Sequence, residues 1–198
     1  MTNWALLFSA LLFAGWVWFG ESAAISHSPG VLVAHEPFQD AVGRLPKLAK
    51  KGYEIEPLAR FSIEARVLRA ERYWFDRGAE LAPVDLALGW GAMSDTAVLE
   101  KLKITQGTRF YYWAPVDGTL PLPRGYIETH SANMHMVPAD ESVARVLKDA
   151  RRGSIVKLSG YLIEIRGADG YTWRSSLTRN DTGNGACELI WVERIELR

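Results

Sequence analysis

The sequence is poor in the residues that most directly announce chemistry. Its 198 residues include one cysteine, Cys187, which excludes an internal disulfide and any all-cysteine zinc site. It carries no excess of charge, since 23 Lys and Arg balance 23 Asp and Glu. That balance weighs against a nucleic-acid binder held by bulk electrostatics, because such domains carry a basic surplus. It has no internal repeat, and neither a G-x-G-x-x-G fingerprint nor the P-loop lysine pattern is present. What it does have is apolar content: 48% hydrophobic and 23% charged residues describe a folded chain and not a disordered one.

The longest uncharged run lies at the start. Residues Trp4 to Gly20 (WALLFSALLFAGWVWFG) hold no charge, and three tryptophans, Trp4, Trp16 and Trp18, sit at its ends. As a helix this run spans about 25 Å, slightly short of a ~30 Å hydrocarbon core. Tryptophan at the ends suits the headgroup region. The run reads as a membrane anchor over residues 1–20 that contacts the lipid bilayer through residues 4–20. A cleaved signal is the alternative, with Ser22-Ala23-Ala24 as a small-residue cleavage site, although no basic residue precedes the run. The first basic residues are Arg44, Lys47, Lys50 and Lys51, too distant for the positive-inside rule to fix orientation. Their absence nearer the run permits export, so the expectation is a single pass through the inner membrane with a periplasmic body.

Residues 21–52 contain Pro29, Gly30, Pro37, Gly43, Pro46 and Gly52 without sustained periodicity and read as a linker. Residues 53–198 then read as one soluble domain. Arg60–Val67 alternates, with Phe61, Ile63, Ala65 and Val67 on one side and Arg60, Ser62, Glu64 and Arg66 on a wet side. Between Pro83 and Ile104 the pattern changes character: Ser94 or Asp95 reads as an N-cap, after which Val98, Leu99 and Leu102 recur at helical spacing. Arg109–Trp113 is a short aromatic strand. Asp140 caps a second helix with Val143, Val146 and Leu147 as its stripe, ended by Gly153. Ile155–Ile165, Tyr171–Thr178 and Ala186–Leu197 follow as strands, the first two joined by the turn Ala168-Asp169-Gly170. The fold class is therefore α+β: a transmembrane helix, then a mainly antiparallel, curved sheet or OB-like small barrel with two short helices.

Four groups of residues are candidates for chemistry. His130 and His135 hold half of the four histidines, five positions apart, which is not the i, i+4 spacing of a zincin helix. In an extended segment an odd separation puts the rings on opposite faces, which counts against a metal site. The loop Arg179–Glu188 is rich in Asn and Gly but lacks EF-hand spacing, and Asx turns explain its composition. Cys187 falls in phase with Leu189 and Trp191, as an interior and inert thiol would. GWG at Gly89–Gly91 reads as close packing around Trp90. Aromatic residues and arginines, among them Trp173 and Arg174, suit a stacking platform or a core.

Three stretches carry a resemblance: LALGWGAMSD ending at Asp95, HSANMHMVPA (His130–Ala139) and RSSLTRNDTGNGACELIWVE (Arg174–Glu193). Together, over residues 53 to 197, they resemble a family of uncharacterised bacterial proteins with one N-terminal membrane segment and a small β-rich domain. The resemblance implies a bacterial origin and one coherent domain; it implies no activity, cofactor or catalytic residue. The sequence thus leads to the expectation of a membrane-anchored, non-enzymatic binding or assembly domain of the cell envelope. Its groove is expected from His130, Asn133, His135, Arg174 and Asp181, with neither cofactor nor metal, and its partner is an envelope protein or small ligand of unknown identity. A Cys187–histidine or metal-assisted hydrolase and an OB-like single-strand nucleic-acid binder are the alternatives.

Overall fold

The computed structural model describes residues 24–178 and 187–198. The anchor expected over residues 1–20 and the Asn180–Gly185 loop lie outside the described residues. In chain order the elements are β1 (Phe38–Ala41), β2 (Leu48–Lys50), β3 (Tyr53–Arg72), β4 (Val84–Gly89), α1 (Thr96–Leu99), β5 (Leu102–Gly107) and β6 (Phe110–Pro115). There follow α2 (Arg124–Thr129), β7 (Ser131–Pro138), α3 (Glu141–Asp149), β8 (Ile155–Arg166), β9 (Thr172–Arg174) and β10 (Glu188–Leu197). The domain is β-rich, with a mainly antiparallel sheet and few, short helices.

Strand β3 organises the rest. It is 20 residues long and pairs antiparallel with β4 through its C-terminal half and with β8 through its N-terminal half. Arg66 has a neighbour on both sides, Gly89 and Ile155. The strand bends at two register shifts, Pro57/Ala59 and Val67/Arg69; proline sits where a bulge spares it a ladder bond. The pairs β4–β7, β7–β10 and β10–β8 complete a circuit, so five strands close on themselves with only β7–β10 parallel. Closure removes the exposed edges on which open sheets aggregate.

Alternation explains what the ring encloses. Phe61, Ile63, Ala65 and Val67 of β3 meet Leu86 and Leu88 of β4, Met134 and Met136 of β7, Leu158 and Leu162 of β8, and Ile190 and Val192 of β10 in one buried cluster. Each such leucine or phenylalanine taken out of water contributes ~1.5–3 kcal/mol. Helix α3 adds Val143 and Leu147 to this cluster, and the Asp140 carboxylate caps it by accepting from the amides of Ser142 (2.8 Å) and Val143 (3.0 Å). Gly160 is required where β8, β3 and β10 run together: a Cβ there would lie 1.8 Å from the Trp191 carbonyl oxygen.

Several local expectations change. Val84–Gly89 is a fully buried strand not assigned from sequence, and the helix capped by Asp95 is only Thr96–Leu99 before the chain turns into β5. Tyr171–Thr178 contributes only Thr172–Arg174 as strand. Arg66, assigned to a wet face, is buried, because Ser94 and Thr96 and the chain near His27 cover it. Much of the stretch read as a linker lies on the body: β1 and β2 both pair with β3, and the Ile25 amide donates to Arg152 O. Outside the ring, Ile55, Leu81, Val137, Ile163, Leu189 and Trp191 form a second cluster. The β5–β6 hairpin lies over a third, which includes Leu68, Ala87 and Met93.

Candidate functional site

The densest set of buried polar groups lies on the outer face of β4 and β7, beneath the β5–β6 hairpin. Asp85 and His135 are register partners on these antiparallel strands, so their side chains leave the sheet on the same face. Asp85 is wholly buried and His135 nearly so. Asp85 Oδ2 lies 2.9 Å from His135 Nδ1, a distance suited to an ion pair, although the ring N–H lacks the alignment of a hydrogen bond to it. The imidazole also packs against Trp173, with ring centroids 4.9 Å apart.

The other oxygen of Asp85 receives Arg109. Arg109 Nη1 donates to Asp85 Oδ1 and to the Ala82 carbonyl, both at 2.8 Å, while Nη2 donates to Asp76 at 2.8 and 3.0 Å. The guanidinium lies 3.8 Å from the ring centre of Tyr73, a stacked cation–π contact. The backbone of Arg109 is held as firmly: its N–H donates to Tyr73 Oη, and its carbonyl accepts from Asn133 Nδ2 at 2.9 Å. Gln106 Nε2 donates in turn to Asn133 Oδ1, and Tyr111 Oη lies 2.6 Å from Ser131 Oγ. Burial pushes the hydroxyls of Tyr73 and Tyr111 up to about 12, so both are neutral partners at neutral pH.

This latch holds a strained turn. Gly107 and Phe110 pair across the hairpin, and the two residues between them, Thr108 and Arg109, both have positive φ (50° and 68°). Two positive-φ residues are the pattern of a type I′ turn, which favours Asn-Gly. A non-glycine residue there carries of order 1 kcal/mol of strain, tolerated only where surrounding contacts overdetermine it. The contacts of Arg109 supply that overdetermination.

Of the residues selected from sequence, the structure brings Asn133 and His135 together on one face of β7. His130 immediately precedes that strand, as the C-cap of α2. Its ring stacks on Tyr126 with centroids 3.7 Å apart and planes 7° apart, and Nδ1 lies 3.0 Å from the Tyr126 carbonyl oxygen. Arg174 lies on β9 and pairs with Glu164, one residue from the Trp173 that touches His135. Asp181 lies outside the described residues. Cys187 Sγ approaches the Arg109 carbonyl oxygen at 3.8 Å. Among the described residues, no group of three or more His, Cys, Asp or Glu side chains is arranged to hold a metal ion.

No family model, curated protein or solved structure matches this chain.

Asp85, Arg109, Asp76 and Tyr73 were not selected from sequence. Asp85 had left one trace, a lone charge inside the otherwise apolar strand Val84–Gly89, where an unpaired carboxylate would be costly to bury. GWG is explained by packing: Gly91 has φ +55°, and a Cβ there would meet the Tyr126 hydroxyl at 2.6 Å. Chemically, an imidazole beside a carboxylate has the makings of an oriented base. Here, however, the carboxylate is shared with a guanidinium, the ring is packed under Trp173, and the thiol faces a peptide carbonyl.

Proposed function

We propose that this chain is a membrane-linked, non-enzymatic binding domain of the bacterial cell envelope, built on an OB-like barrel. The strand circuit supports the barrel reading. With the ring strands numbered in chain order, the third and fifth are parallel neighbours, and α3 lies between the third and fourth. In OB folds the face of strands two and three, with the loops following strands one and four, takes oligonucleotides or sugars. In this chain β4 and β7 are those two strands, and the β5–β6 hairpin covers their outer face through Arg109, Gln106 and Tyr111. That covering and the zero net charge weigh against the single-strand nucleic-acid reading.

The observation that carries a binding role is the tip of the loop after β3. Trp74 is 72% and Phe75 99% exposed, adjacent aromatic residues held in water. Aromatic side chains in such positions are over-represented as interface anchors. Asp76, beside them, is tied to Arg109, so the tip is presented from a fixed base. An envelope protein is the partner class this surface suits.

Placing a photo-crosslinking residue at position 75 of the full chain in bacterial membranes tests this reading. One discrete adduct is expected, lost when Trp74→Ala is added and not reproduced from exposed Val116. Equal, diffuse labelling from both positions would overturn it. A hydrolytic activity that disappears in Cys187→Ser while the fold survives would favour the enzyme alternative.

A further inference from the structure

A second feature, beside the β5–β6 hairpin at Leu68 and Ile104, has the form of a ligand site. Arg66 is 7% exposed, yet among the described residues it pairs with no carboxylate. Buried arginines are ordinarily ion-paired, because an isolated charge loses its hydration without compensation. The Nη1 of Arg66 is occupied, donating to the Ser94 carbonyl at 2.9 Å and to Thr96 Oγ1 at 2.8 Å. The Nε–Nη2 edge makes no hydrogen bond to any described residue, and that edge is the planar fork that suits an oxyanion.

Arg66 lines a cleft of about 300 Å³ together with Arg152, His27, Thr96 and Glu100. Arg152 is exposed and has no ion pair among the described residues. The one carboxylate on the lining, Glu100, leaves two guanidinium groups facing a single negative charge. Asp95, close by, is committed to the amides of Gly30 and Ala97. Burial, and next the charge of Arg152, hold Arg66 below the usual arginine range, with the charge of Asp95 only partly opposing them.

The rim of this cleft is built. Ile25 N donates to Arg152 O at 2.9 Å, Thr96 Oγ1 donates to His27 O at 3.0 Å, and His27 Nε2 lies 2.7 Å from Gly153 O. Gly153 has φ +91°, and a Cβ on it would fall 2.0 Å from the Ile25 carbonyl oxygen, so only glycine lets residues 25–27 lie there. These residues begin a few positions after Gly20, the end of the uncharged run. The five steps from Gly20 to Ile25 reach at most about 18 Å. With that run in the bilayer, the chain length allows the cleft to reach the headgroup layer.

We propose that the Arg66–Arg152 cleft binds a phosphate group, that of an anionic lipid headgroup. The lipid source rests on the membrane reading above; the anion site does not. The test uses the full chain in dodecyl maltoside, with phosphatidylglycerol, phosphatidylcholine and inorganic phosphate as separate probes, read by thermal midpoint and phosphorus-31 line width. Phosphatidylglycerol is expected to bind. Arg152→Gln is expected to weaken its affinity about tenfold, while Arg194→Gln, an equal charge change at an exposed arginine outside this cleft, leaves it unchanged. Arg66→Lys keeps the charge and removes the fork, and should weaken binding as much where its unfolding midpoint matches wild type. Arg152-dependent binding of inorganic phosphate without phosphatidylglycerol would remove the lipid source and keep the anion site. Equal loss in Arg152→Gln and Arg194→Gln, or no binding by either probe, would overturn the site itself.

Discussion

Asp85 and His135 stand opposite one another in the register of β4 and β7, with Oδ2 and Nδ1 2.9 Å apart, and the second oxygen of Asp85 is taken by Arg109. One buried carboxylate therefore serves the barrel wall and the hairpin that covers it. The consequence is structural before it is chemical: the hairpin tip is fastened to the strand ring through a buried carboxylate that also faces His135.

Removing that carboxylate should be expensive. Asp85→Ala leaves Arg109 with half its anionic partners and His135 with none, and breaking a buried pair typically costs ~3–5 kcal/mol. Asp76→Ala removes the half-exposed partner of the same guanidinium and should cost about 0.5 kcal/mol. Urea denaturation of the two variants measures the contrast. Similar losses would mean that the latch does not depend on Asp85.

The latch should also be alkali-sensitive. Burial raises Tyr73 and Tyr111 from 10.0 to about 12, so the folded state holds their protons more tightly than the unfolded chain does. Their contribution is complete below pH 10 and is lost as the pH rises through about 12. The urea midpoint should therefore fall between pH 10 and pH 12, and Tyr111→Phe should narrow that fall. Absorbance at 295 nm should show these two of the seven tyrosines ionising last.

Closure of the ring gives a sharper steric prediction. Gly160→Ala puts a methyl group 1.8 Å from the Trp191 carbonyl oxygen, where the backbone itself must move. A loss of about 3 kcal/mol or more is expected, measured by urea denaturation. Gly125→Ala, where nothing lies within 4 Å of the added carbon, should be neutral or mildly stabilising within helix α2.

The exposed tip should behave in the opposite way. Trp74→Ala with Phe75→Ala removes little packing, so the unfolding free energy from urea denaturation should stay within about 0.5 kcal/mol of wild type. Trp74→Ala alone, with the photo-crosslinking residue at position 75, should nevertheless abolish the adduct. A large loss of stability would show that the two rings are core and not contact surface.

What the sequence made legible was local. Phe61, Ile63, Ala65 and Val67 alternate in sequence and point into the ring, Asp140 caps the helix that it precedes, and Gly170 turns β8 into β9 with φ +85°. Each of these follows from residues within a few positions of one another. Ring closure does not, because β3 finds β8 about a hundred residues away and β7 finds β10 across three other elements. The site fails to appear for the same reason. Arg109 reads as part of an aromatic strand until Asp85, 24 positions away, supplies its partner. Arg66 reads as one of four solvent-facing residues until Ser94, Thr96 and the chain near His27 fold over it.

Fractionation of the full-length chain expressed in bacteria tests the membrane-linked reading most directly. The chain should remain with membranes through carbonate washing, its body should be digested by protease added to the periplasmic side, and a variant starting at residue 24 should be released to the soluble fraction. Uncut full-length chain recovered in the soluble cytosol would contradict the account.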